Sequence, residues 1–114
     1  MILELKYGKV KIELFQDVAP KHVERFKTLA NSNKYNGVVF HRVIAKFMAQ
    51  SGDVKFGNSL NDDYDLKRVG TGGSDLPDLN SEFNNLPHVR GTLSMARSQN
   101  PNSANSQFFI CLED

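Results

Sequence analysis

Several protein classes are excluded by what this chain lacks. Among its 114 residues there is one cysteine, Cys111, so an internal disulfide and any zinc site built from several cysteines are ruled out. Neither sign of charge dominates: 14 Lys and Arg face 13 Asp and Glu, a net charge of +1. No global field draws the chain to nucleic acid or to an anionic membrane, and neither is expected as a partner. No apolar run approaches the roughly 20 residues needed to span a bilayer. Met1-Ile2-Leu3-Glu4 has neither a basic n-region nor a long apolar stretch. A signal peptide is therefore expected to be absent, or removed ahead of this start. A lone thiol fits a reducing compartment. The cytoplasm is the default expectation, with a mature periplasmic form as the alternative.

What is present suits a folded domain. Hydrophobic residues make up 39% and charged residues 24% of the chain, unlike a disordered segment. One domain over residues 1–114 is expected, without repeats or linkers. Residues 3–15 alternate: Leu3, Leu5 and Tyr7, then Val10, Ile12 and Leu14, with charged residues between them. That period predicts a hairpin with one buried face and one wet face. The period then changes. Val23, Phe26, Leu29 and Ala30 recur at helical spacing, predicting one amphipathic helix over about 19–31 with Asp17 as N-cap and Pro20 in the first turn. Further strands are expected over 38–44, 47–50, 92–95 and 107–112, with a long surface loop over 51–82. Short strands and one helix suggest a barrel or a sandwich.

The candidate chemical groups are few. His22, His41 and His88 share no metal-pair spacing. His41 reads as a satisfied core histidine, His22 as a residue of the helix's polar side, and His88 as a loop residue. Gly70-Thr71-Gly72-Gly73 lacks the Lys-Ser/Thr of a phosphate loop and reads as a tight turn. No serine sits in a nucleophile elbow. Cys111 reads as a small buried hydrophobe. Arg42 stands out, because it shares a face with Phe40 and Ile44 in a strand that otherwise looks buried. It either anchors a salt bridge or serves a pocket. Gln50 and Gln107, beside other short strands, can hold a guanidinium without neutralising it.

These residues fall into four blocks that resemble the cyclophilins, a family of peptidyl-prolyl cis–trans isomerases. The blocks are Val18-Ala19-Pro20-Lys21, the run from Phe40-His41-Arg42 through Gln50-Ser51-Gly52-Asp53, Gly70-Thr71-Gly72-Gly73, and Arg90 to Arg97 followed by Ser106 to Ile110. The Met95-Ala96-Arg97 triplet and the insertion around Phe56–Val69 are most similar to bacterial members. The resemblance implies a mainly β, cyclophilin-like antiparallel barrel with one N-terminal capping helix, and a groove on the outer barrel face. It implies Arg42 as catalytic arginine with Gln50 as its positioning partner. Phe47, Met48 and Phe109 would floor a proline pocket. Gln107 would orient the substrate backbone, and Ala96 and Arg97 would line the groove. No cofactor or metal is implied. The implied partners are proline-containing peptides, unfolded or folding proteins, and cyclosporin-type cyclic peptides. Two departures fall in turns: Ala45-Lys46 stands for the usual Pro-Gly, and Ser51 for a Gly. The family also continues past the position of Asp114, with further strands, a second helix and more pocket residues. The barrel is therefore expected to be incomplete here, in a C-terminally truncated chain. The alternatives to an isomerase are a proline-peptide binding module or an inactive piece of a larger assembly.

Overall fold

A computed structural model describes residues 1–84 and 86–114. The alternating N-terminal segment forms strands β1 (Ile2–Leu5) and β2 (Gly8–Lys11), paired antiparallel with Leu3 opposite Val10. The expected buried face is not buried: Tyr7 is 92% exposed, Leu5 42% and Val10 39%, and Leu3, Ile12 and Leu14 are only half-buried. The hairpin hydrogen-bonds to no other strand among the described residues and stands as a separate two-stranded sheet.

Helix α1 spans Pro20–Asn31 and buries Val23, Phe26 and Leu29, as its spacing predicts. Its N-cap is Ala19 rather than Asp17, and no local side chain caps it. The cap comes from far along the chain. Glu82 accepts the backbone N–H of Lys21 (3.1 Å) and of His22 (2.8 Å), and its Oε1 also bonds His22 Nδ1. His22 is thus fastened to a distant loop instead of lying on a free polar face. Arg25 is buried too, at 8% exposure, and donates to the carbonyls of Pro77 (2.6 Å) and Asn105 (3.2 Å). Burying a guanidinium is tolerated because its donors meet fixed acceptors.

A second antiparallel sheet carries the rest. Its strands are β3 (Arg42–Ile44), β4 (Met48–Ser51), β5 (Leu93–Met95) and β6 (Phe108–Cys111), in the order β3-β4-β6-β5. The strand expected over 38–44 shrinks to its last three residues. It lies at the sheet edge, which leaves Val43 63% exposed. One sheet face meets the helix through Phe108, whose ring edges onto Phe26 at 5.2 Å and Tyr35 at 5.5 Å. Burial pushes the Tyr35 phenol well above its usual range, with Arg25 pulling the other way, and its O–H donates to Ser106 O at 2.7 Å. The described residues form these two sheets and one helix, without closing a barrel.

Candidate active site

Antiparallel pairing puts residues in direct register on the same face of a sheet. Arg42 faces Gln50, Gln50 faces Phe109, and Phe109 faces Ser94, giving one row across all four strands. Two residues along, on the same face, Met48 stands between Ile44 and Cys111. This is the face opposite the one bearing Phe108 and the helix. A cation, an amide, an aromatic ring and a thioether therefore share one side of the sheet.

Their environments differ. Arg42 is exposed, and among the described residues it forms no ion pair, so the salt-bridge alternative is not observed. Met48 is 5% exposed and gives a solid apolar patch. Phe109 is half-buried, with the His88 ring edge-on at 5.8 Å. Phe47 is 58% exposed, at the end of a tight turn closed by its N–H to Ile44 O at 3.0 Å. Lys46 in that turn has φ +64°, a conformation that suits glycine and strains a side chain. The residue that stands where the resemblance expects Gly therefore adopts a glycine-like backbone.

Gln50 Nε2 donates to Gln107 Oε1 at 2.9 Å. Gln107 Nε2 in turn donates to Gly70 O and Gly72 O, both at 2.9 Å. The two glutamine side chains hold each other, and among the described residues no side-chain hydrogen bond joins either to the Arg42 guanidinium. The backbone N–H of Ala96 donates to Gln107 O at 2.8 Å, fixing the strand end against the same residue. The Arg97 side chain folds onto its own loop, donating to Ser98 O at 2.9 Å. Beside the glutamines opens a cavity of about 500 Å³, between the Gly70–Ser74 backbone and the Ala96–Ser98 segment.

His41 is not the satisfied core histidine expected. Its Nδ1 is buried without a hydrogen-bond partner among the described residues. Burial lowers its pKa, Asp53 raises it less, and Arg42 lowers it further, so the ring is held below the usual histidine range. Cys111 is buried, and burial pushes its thiol up. It behaves as a hydrophobe rather than a nucleophile.

Residues 1–114 match a family described as cyclophilin type peptidyl-prolyl cis-trans isomerase/CLD, and the chain belongs to that family. A Brucella suis protein named "Probable peptidyl-prolyl cis-trans isomerase" is 62% identical over 114 residues, all of this chain and 58% of that protein. The chain therefore spans little more than half the length of such relatives. A crystal structure of a Hirschia baltica cyclophilin matches with a TM-score of 0.77 at 26% identity, covering 99% of this chain and 57% of that one. A Cryptosporidium parvum cyclophilin solved in the presence of the dipeptide Ala-Pro matches with a TM-score of 0.78 at 34% identity, covering 95% and 64%.

Proposed function

We propose that this chain carries the isomerase site of a cyclophilin that speeds rotation about X–Pro peptide bonds, with Arg42 stabilising the twisted transition state. One observation supports this above the rest: Arg42, Gln50 and Phe109 stand in one row on a single sheet face, with buried Met48 beside them.

The chemistry follows from the bond. Rotation about a peptide C–N bond meets a barrier of about 18–20 kcal/mol, because resonance holds it planar. Five decades of acceleration means removing about 7 kcal/mol. No covalent bond breaks, so no nucleophile or metal has to act. As the bond twists, the prolyl nitrogen becomes pyramidal and recovers its lone pair. An N–H of the Arg42 guanidinium aimed at that nitrogen favours the twisted state over either planar one. Phe47, Met48 and Phe109 hold the ring while the carbonyl side turns. Gln50 orients the guanidinium, Gln107 holds the substrate backbone, and the main chain at Ala96 and Arg97 lines its path. Arginine suits this task because it stays charged and its fork is rigid, whereas lysine offers a mobile point charge.

The partners of this reading are proline-containing peptides and folding proteins. Cyclosporin-type cyclic peptides fill the same groove, and the chain works in the cytoplasm. Protease-coupled isomerisation of an Ala-Pro peptide by the full-length chain tests the proposal. The expected result is a rate well above the uncatalysed one, with amide signals of Met48 and Phe109 shifting on peptide addition. A rate equal to the uncatalysed one, with binding retained, would leave a binding module instead.

A further inference from the structure

Asp53 is fully buried, with no exposed surface, and the mechanism above does not use it. Among the described residues no cation bridges to it. Four backbone N–H groups satisfy it instead. Oδ1 accepts from Lys55 (3.1 Å) and Phe56 (2.9 Å), a local turn that many aspartates make. Oδ2 accepts from Gly70 (2.7 Å) and Gly72 (3.0 Å), reaching 17 and 19 residues along the chain. The contact has no slack, since a Cβ on Gly72 would come 2.6 Å from Asp53 Oδ1.

The same two glycines are gripped from the other side, where their carbonyls accept from Gln107 Nε2. That contact decides which way round the Gln107 amide sits, because only its NH₂ can face two carbonyls. Its Oε1 is then left for Gln50. Gln50 must turn its own NH₂ toward that oxygen, at 2.9 Å. The oxygen of Gln50 remains as an acceptor, in the row where Arg42 stands opposite. A guanidinium can only donate. With Gln50 reversed, it would present an NH₂ to Arg42 and repel it.

We propose that Asp53 is a positioning residue: by fixing the Gly70–Gly72 bend it sets the orientation of the Gln107 and Gln50 amides, and thereby the acceptor offered to Arg42. This rests on the isomerase reading of Arg42.

Asp53→Asn in the full-length chain is the test. Asparagine keeps one acceptor oxygen and turns an NH₂ toward two N–H donors, so two of the four bonds fail. Circular dichroism reports folding, side-chain NMR signals report the Gln50 and Gln107 amides, and the coupled assay reports kcat and KM. The expected result is moved amide signals for both glutamines and a kcat at least tenfold lower, with KM within twofold. Unmoved signals in a folded variant overturn the proposal, whatever the rate does, and so does a kcat within twofold of wild type. If Asp53→Asn does not fold, Gln107→Glu decides. It leaves Asp53 and its four donors intact, but a carboxylate cannot donate to the glycine carbonyls. A moved Gln50 signal then supports the relay, and an unmoved one overturns it. If the wild type has no isomerase activity, the isomerase reading fails, and the amide signals alone decide whether Asp53 orients the pair.

Discussion

The remote cap of helix α1 gives a sharp stability prediction. Glu82→Ala removes the acceptor for the Lys21 and His22 N–H groups and for the His22 ring. Ala19 offers no side-chain substitute. A lost cap costs about 1 kcal/mol. Losing the negative charge beside the helix N-terminus adds about 0.5 kcal/mol, and losing the His22 ring bond about 1 kcal/mol. The expected loss is therefore about 2.5 kcal/mol, against a usual domain stability of about 5–15 kcal/mol. In urea unfolding followed by circular dichroism, this lowers the midpoint by about 1–2 M. The control is Asp17→Ala, which removes the cap that local sequence suggests, with an expected change under about 0.5 kcal/mol. The effect also carries a pH signature. Burial raises the Glu82 carboxyl, but the His22 ring bond and the N–H groups of His22 and Lys21 outweigh it and hold the carboxyl below its usual value. A depressed folded-state pKa gives stability that is present above the ordinary carboxylate range and lost as pH falls through the folded value. The gap between wild type and Glu82→Ala should therefore be full above the ordinary carboxylate range and narrow as the pH falls below it. A larger loss for Asp17→Ala than for Glu82→Ala, or a gap that widens below the ordinary carboxylate range, would show that Glu82 is not the cap.

Two further stability predictions are more local. Lys46→Gly should raise stability by about 0.5–1 kcal/mol in the same urea assay, as relief of the left-handed strain exceeds the added freedom of the unfolded chain; Lys46→Val should lower it. Phe108→Ala should cost about 3–5 kcal/mol, read as a large drop in thermal midpoint, because that ring is 3% exposed and packs edge-on against Phe26, Tyr35 and Phe40.

What was legible in the sequence was local. The helix and the strands at Met48–Ser51, Leu93–Met95 and Phe108–Cys111 follow from spacing that needs no knowledge of distant residues. Alternation in the hairpin names the apolar side, but not whether anything covers it, so it points Leu5 and Val10 inward while they lie exposed. The same limit applies to Val43: an apolar run looks alike in a central strand and at an edge. Glu82 could not be read as a helix cap, because 60 residues separate it from His22. In the site, the sequence marks Gln50 and Gln107 as amides suited to a guanidinium. That they bind each other, and that Asp53 stands behind them, depends on where the Gly70–Gly73 turn folds back in space, which its glycines mark as a turn but do not place. The Asp53 side chain's bonds to Lys55 and Phe56 are the one part a turn rule signals.

In the proposed mechanism the Arg42 guanidinium acts on the twisted bond rather than on the resting substrate. The most direct measurement compares wild type with Arg42→Ala in the full-length chain, reading both isomerisation rate and peptide affinity. The expected result is a kcat/KM about 100- to 1,000-fold lower, with the Kd for an Ala-Pro peptide within about threefold of wild type. An Arg42→Ala chain that turns over at nearly the wild-type rate, or that loses affinity in step with rate, would contradict it.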